Sequence, residues 1–256
     1  YKEYKGTRKI GRKLHQIYSH FTALSGTCRD DRVIFLAYDT VALGAALLLR
    51  LVLLRRVPQD IWVVEHNNLD RIESSKWATL LYCWLSLRVK SLVFESYILN
   101  YVRAEFNRDG YVIDHPVPKY CSTRNAFEFK YIFVPSRDIS EIEFFKLYNW
   151  AVKRKLHVVT KNHEFLKGLS YPGIYQSTYF NDYANTFMGA EYIGVPVKYQ
   201  NRVSAVAYEA IANGKKVVMT NGSLYAAMKR RSTTLVYMFS DEKLPCKTPD
   251  GDKVGS

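Results

Sequence analysis

Residues 33–68 read VIFLAYDTVALGAALLLRLVLLRRVPQDIWVVEHNN, and this stretch decides the fold class. Val33 to Ala37 is a short unbroken apolar run of the kind that forms a buried strand. Val41 to Arg55 continues the apolar character for too long to be a strand, and it reads as a buried helix. Ile61-Trp62-Val63-Val64 is a second strand, closed by the polar Glu65-His66-Asn67-Asn68. Strand, crossover helix and strand form a βαβ unit, which implies a parallel sheet with a right-handed connection. Ligands of such sheets collect beyond the carboxyl ends of the strands, here at Tyr38-Asp39-Thr40 and Glu65-His66-Asn67.

The same alternation extends in both directions. Upstream, residues 7–24 are basic, with Ile10, Leu14, Ile17, Tyr18 and Phe21 at helical spacing, and they read as an amphipathic helix. Such a helix fits either a sheet or a membrane surface. Downstream come a helix (75–88), a strand (91–95), a helix (97–106) and a strand (110–113), reaching His115-Pro116-Val117-Pro118. The prolines and the polar residues 119–125 read as a linker. A second series follows, with strands at 131–134, 156–160, 173–176, 192–195, 216–219 and 234–239 and helices at 140–153, 182–188 and 201–213. The expected organisation is therefore α/β with two Rossmann-like domains, residues 1–118 and 119–256, facing a cleft that holds the ligand.

Composition narrows the partners. The 256 residues carry a formal net charge of +13 and 48% apolar residues, which suits two modest cores and an anionic partner. That partner is nucleic acid, an anionic membrane face or a phosphorylated small molecule. The charge is local, at Arg8-Lys9-Ile10-Gly11-Arg12-Lys13 and Lys229-Arg230-Arg231, and the aromatic residues form no RNA-binding motif. Nucleic acid is thus disfavoured. The apolar run 41–56 contains Arg50 and falls short of the roughly 20 residues that a bilayer span needs. Cys28, Cys83, Cys121 and Cys246 form no CxxC pair, so neither zinc nor a disulfide scaffold is indicated, and a reducing cytoplasmic setting is expected. The glycosylation-type tripeptide Asn221-Gly222-Ser223 has no secretory signal before it.

Residues 201–220, NRVSAVAYEAIANGKKVVMT, carry the sharpest functional signal. Val203, Val206, Ala207, Ala210 and Ile211 mark one face of a helix. Glu209 then falls on the flank of that face, nearly in line with Arg202 two turns earlier. The layout of Asn201 to Val218 resembles the two-domain GT-B glycosyltransferases, and among them the retaining nucleotide-sugar enzymes of glycosyltransferase family 4. The resemblance places Glu209 at the family's second glutamate, which holds the ribose of the donor nucleotide. A carboxylate accepts two hydrogen bonds from a vicinal diol, and the amides at the helix start, near Val203 and Ser204, suit a diphosphate. The family's first glutamate and the glycine after it are Asn201 and Arg202 here. Asn201 thereby stands at the donor-sugar position, and Arg202 joins the candidates for the diphosphate.

The resemblance extends loosely over residues 30–240. It assigns His66 to the catalytic sugar contact after a strand, and Arg137, in Val134-Pro135-Ser136-Arg137, to the diphosphate. Lys161 is a second cation for that role. Together these would supply the positive charge that a metal provides in other sugar-transferase folds, so no metal and no cofactor is expected. Asp250-Gly251-Asp252 matches a metal-binding DxD element only superficially. Against the family, the amino-terminal domain reads as incomplete. The implied activity is metal-independent transfer of a hexose-type sugar, with retention, from a nucleotide diphosphate sugar to a saccharide or lipid-linked acceptor. Such an enzyme would work in polysaccharide or glycoconjugate synthesis in the cytoplasm or on the inner membrane face. The alternative is a catalytically impaired GT-B-like nucleotide-binding scaffold.

Overall fold

A computed structural model describes residues 2–54, 58–65, 69–72, 76–121, 126–168 and 170–239. The chain divides into two compact units, one of Tyr1–His115 with Gln200–Val203, the other of Pro116–Tyr199 with Ser204–Ser256.

The first unit opens with helix α1 (Lys2–Ser25), then alternates β1 (Arg32–Phe35), α2 (Thr40–Leu54), β2 (Asp60–Val64), α3 (Leu69–Ile72), α4 (Lys76–Ser86), β3 (Val89–Val93), α5 (Ser96–Phe106) and β4 (Gly110–Val112). Its four strands lie in the order β1-β2-β3-β4, and every pair is parallel. Because the order advances in one direction, right-handed crossovers put α2, α4 and α5 on one face of the sheet. Leu43 and Leu47 of α2 pack there with Phe35, Ile61, Val63, Leu85 and Val89, and α1 adds Leu24 and Phe21.

The second unit contains β5 (Tyr131–Val134), α6 (Glu141–Lys153), β6 (His157–Lys161), a 3₁₀ turn (Glu164–Leu166), β7 (Ile174–Ser177), α7 (Tyr183–Gly189), β8 (Tyr192–Val195), α8 (Ala205–Ala212), β9 (Val217–Met219), α9 (Ser223–Arg231) and β10 (Val236–Met238). The strand order is β10-β9-β8-β5-β6-β7, again parallel throughout. The chain leaves β5 towards β6 and β7, then crosses back to place β8 on the other side of β5. That reversal is the topological switch point of a doubly wound sheet. All four residues of β5 are buried, as expected of a central parallel strand covered on both faces. Ile132, Val134, Phe144, Leu147, Trp150 and Val158 form the core beneath α6. Ser140 caps α6 by accepting from the Glu143 amide at 3.4 Å, in a Ser-x-x-Glu arrangement.

Both halves are therefore parallel α/β units of Rossmann type, as the sequence predicts. Some details differ. The helix expected over 201–213 begins only at Ala205, after Ser204 at the N-cap with extended backbone, φ −110° and ψ 113°. Asn201, Val203 and Ser204 are buried ahead of the helix, Asn201 at a bend, so Arg202 and Glu209 do not share a helical flank. A further difference is α9, which the sequence reading passes over. Its buried residues Leu224, Ala227 and Met228 recur at helical spacing, and Lys229, Arg230 and Arg231 occupy its last turn, where cations are favoured by the helix dipole.

Candidate functional site

The carboxyl edge of the second sheet carries three of the seven predicted residues, Arg137, Lys161 and Ser204. Arg137 lies three residues beyond the end of β5 and is exposed. Lys161 is the last residue of β6, half-buried, with its backbone in register with Ser177 of β7. Ser204 is buried at the N-cap of α8, the helix that follows β8. β5 pairs with both β6 and β8, so these residues follow three adjacent strands astride the switch point. The Ser204 carbonyl accepts from the amides of Ala207 and Tyr208 at 3.0 and 3.4 Å. The leading amides of the helix have no intrahelical acceptor and suit an anion.

The fold of the edge follows from local chemistry. Pro135 ends β5 because proline donates no ladder hydrogen bond, and the Ser140 amide then bonds the Pro196 carbonyl at 3.2 Å. This ties the loop after β5 to the loop after β8. Gly194 lets α6 approach closely, since a Cβ there would meet Leu147 Cδ2 at 2.7 Å and Val134 Cγ2 at 2.8 Å. A cavity of about 280 Å³ opens on the same edge beside β9 and β10, lined by Glu143, Lys146, Lys198, Thr220, Asn221, Met238 and Phe239. Glu143 and Lys146 form an ion pair of 3.2 Å on its wall. Glu209 does not line this cavity.

Glu209, expected on the flank of the apolar face of its helix, is buried. Only 8% of it is exposed. Oε2 accepts from the Tyr183 hydroxyl at 3.2 Å, and Oε1 accepts from the Tyr120 hydroxyl. Burial raises its pKa, against the two phenol hydrogen bonds that lower it. In return, burial followed by the hydrogen bond and charge of the carboxylate raises the pKa of Tyr120. Tyr183 is raised by burial and then by the charge of Glu209. Tyr183 is the first residue of α7, behind Asp182, which caps it by accepting from the Asn185 amide at 3.1 Å. Its ring meets Phe133 of β5 at 5.6 Å and Phe187 at 5.7 Å.

Tyr120 is held by backbone as well as by its hydroxyl. Its amide donates to Asn213 Oδ1 at 2.8 Å, and Asn213 Nδ2 donates to the Pro118 carbonyl at 2.9 Å. Lys119 donates to the Ala212 carbonyl. The stretch Pro118–Tyr120 is thus clasped to the C-terminal end of α8.

The remaining predicted residues fall elsewhere. Asn201 and Arg202 belong by their contacts to the first unit, where the Arg202 carbonyl accepts from the Tyr97 hydroxyl at 2.8 Å. His66 lies outside the described residues. Its neighbour Glu65 is completely buried and accepts from Tyr82 at 2.7 Å, Tyr38 at 2.8 Å, and both Ser91 and Arg108 at 3.1 Å. That acid serves the core of the first unit. Sequence reasoning missed Tyr120 and Tyr183, because neither stands in a motif. It also missed His163, buried just past β6 with Nε2 3.1 Å from Thr160 Oγ1. Burial, and then the nearby Lys161, lower the pKa of that imidazole.

Cys28, Cys83 and Cys121 are free and exposed. Among the described residues, no group of three or more His, Cys, Asp or Glu side chains is placed to hold a metal ion. None of their helices is long and apolar enough to cross a membrane.

No family model and no curated protein matches the chain. Solved structures do. A glycotransferase of kitacinnamycin is similar at a TM-score of 0.41 and 12% identity, covering 80% of this chain and 62% of its own. The calicheamicin glycosyltransferase CalG4 is similar at a TM-score of 0.43 and 12% identity, covering 92% of this chain and 66% of its own. The chain spans less than two thirds of the length of either.

Proposed function

We propose that the chain is a GT-B-type glycosyltransferase of the family 4 kind, transferring a sugar from a nucleotide diphosphate sugar to an acceptor hydroxyl. The observation that carries this reading is the placement of Arg137, Lys161 and the start of α8 after three adjacent strands at the switch point of the second sheet. Two cations and a helix N-terminus there suit a diphosphate, whose departure they would stabilise as charge develops. Transfer of a hexose with retention, a role in polysaccharide or glycoconjugate synthesis, and a cytoplasmic setting complete the proposal as the family resemblance implies it. Asn201 keeps its proposed place at the donor sugar, Arg202 at the diphosphate and His66 at the reacting carbon. Metal and cofactor are not required in this scheme, because the cations take the part of the metal.

Glu209 fits the ribose role in a specific way. It accepts two O–H donors from Tyr120 and Tyr183, and a ribose diol supplies two O–H donors of the same kind. Nucleotide entry would exchange one or both phenols for ribose hydroxyls, leaving the buried carboxylate satisfied throughout.

The rival reading is a nucleotide-binding scaffold without turnover. It is favoured by the burial of Glu209 against the two phenols and by Asn201 and Arg202 where the family has a glutamate and a glycine. Thermal shift with uridine, guanosine and adenosine diphosphates, followed by an assay of sugar release from the matching nucleotide sugars, separates the two. A ligand that binds only the folded chain at 100 times its Kd adds about 2.7 kcal/mol of stability. A shift with turnover that Arg137→Ala and Lys161→Ala both diminish supports transfer. A shift without turnover supports the scaffold, and no shift with any nucleotide rejects both.

A further inference from the structure

Helix α2 is built inside out. Its one charged side chain, Arg50, is buried and donates from Nη2 to the Thr27 carbonyl at 2.8 Å. Its solvent sector is aliphatic. Val41, Leu48, Leu49, Val52 and Leu53 are 43, 41, 45, 73 and 65% exposed. Val41, Leu48 and Val52 stand at i, i+7 and i+11, a stripe along the whole helix. A surface helix of a water-soluble domain carries polar residues on that sector, and a contiguous apolar strip of this kind marks a surface that meets another apolar phase.

The flanking helices identify that phase. α2 packs between α1 and α4, and α4 adds Leu80 at 61% exposure. α1 presents Leu14 and Tyr18, both more than half exposed. The sequence of α1 carries Lys2, Lys5, Arg8, Lys9, Arg12 and Lys13, and after Glu3 no acid occurs until Asp30. Lys13 pairs with Asp39 immediately before α2, which sets the basic stretch of α1 at the same end of the layer as Val41. From Thr40 to Val57 the chain again holds no acid. An aliphatic strip with a cationic segment at one end, in a helix whose one acid is Glu3, complements an anionic phospholipid surface, in which acyl chains meet the strip and headgroups meet the basic segment. A protein partner or a second copy would have to match both features at once, and a second copy would oppose cation to cation.

We infer that the α1–α2 layer of the first unit docks flat on the surface of an anionic bilayer. This does not rest on the proposed sugar transfer. The test is flotation of the full chain with vesicles of phosphatidylcholine alone and with about one third phosphatidylglycerol. Docking predicts binding to the anionic vesicles only, weakened by salt. Arg12→Glu should lower the partition coefficient about fivefold or more, since each basic residue near such a surface contributes about that factor. Val52→Asp, at an exposed position where folding is preserved, should lower it about tenfold or more. Leu53→Asn is the second probe if circular dichroism shows Val52→Asp to be unfolded. Equal binding to neutral and anionic vesicles, unchanged binding of the exposed-site variants, or no vesicle binding by a dimer that Val52→Asp splits would each overturn the inference.

Discussion

Arg108 and Glu65 form an ion pair of 3.1 Å in which both side chains are completely inaccessible to solvent. The guanidinium also lies over the Tyr82 ring at 3.7 Å and donates to the Tyr82 carbonyl at 3.0 Å. Two ions taken out of water incur a large desolvation cost, which is recovered only when every remaining polar atom finds a partner. Here Tyr38, Tyr82 and Ser91 fill the lone pairs of Glu65. The group joins β2, β3, α4 and the turn before β4, so it fixes how helix and sheet meet in the first unit.

Removing one partner strands the other charge. Arg108→Met should destabilise the first unit by about 3–5 kcal/mol, whereas the double variant Glu65→Gln/Arg108→Met, which removes both charges and keeps an acceptor for Tyr38, Tyr82 and Ser91, should recover part of that loss. Urea unfolding of the three proteins measures both. A single variant that unfolds at the wild-type midpoint would show that the pair does not hold the core.

The tyrosines around this pair make stability sensitive to alkali. Burial first, and then the Glu65 carboxylate, raise the pKa of Tyr38 and Tyr82 well above the ordinary phenol value. Burial pushes Tyr131, in the second unit, up to about 12. A phenol whose folded pKa exceeds its unfolded one keeps its proton better in the fold. Its stabilising contribution is full below an unfolded value of about 10 and is lost as pH climbs from there through the folded values. Absorbance at 295 nm should therefore show a group of tyrosines that ionise only as the fold is lost, together with a melting temperature that falls above pH 10. Tyrosines that all titrate as free phenols without unfolding would contradict this.

Close packing at the switch point offers a steric test. Gly194 has no room for a methyl group between Leu147 and Val134, and overpacking of a filled core costs about 1–3 kcal/mol. Gly194→Ala should lower the melting temperature by several degrees and displace α6 from β8. As Ser140 at the head of α6 is tied to Pro196, the same variant should weaken any anion bound at this edge. An unchanged melting temperature would mean that α6 yields freely.

How far the sequence exposes this structure depends on the range of the interactions. The continuous apolar run Tyr131–Val134 and the Ser140–Glu143 cap are local signals, and they mark β5 and the start of α6 directly. The start of α8 is misplaced because Val203 keeps helical phase with Val206 and Ala207, although Ser204, a favoured N-cap residue, marks the true boundary. α9 is overlooked because its basic last turn reads as a surface charge cluster, while Leu224, Ala227 and Met228 carry the helical spacing. Glu209 is visible as an unusual acid on an apolar helix, but its partners lie 89 and 26 residues away. Arg108 is similarly separated from Glu65 by 43 positions. Burial of a charge against distant hydroxyls has no local pattern, and the sequence accordingly places Glu209 on a helix flank without revealing its partners.

Glu209→Gln separates the structural role of this acid from its ligand role in one protein. The folded pKa is raised by burial, so the fold favours the protonated form. Ionisation makes the carboxylate progressively less favourable as pH rises from its unfolded value, about 4.3, through the raised folded value. The isosteric amide carries no charge to desolvate and keeps an acceptor for one tyrosine hydroxyl. The melting temperature of Glu209→Gln relative to wild type should therefore increase between pH 4 and pH 7. Nucleotide binding should move the opposite way, weakening by about 1.5–3 kcal/mol, the usual contribution of a hydrogen bond to a charged group. Melting curves across that pH range and calorimetric titration of the nucleotide that gives the largest thermal shift measure the two effects. A variant that is stabilised yet binds nucleotide as wild type does would leave Glu209 a structural anchor for Tyr120 and Tyr183, with the ribose held elsewhere.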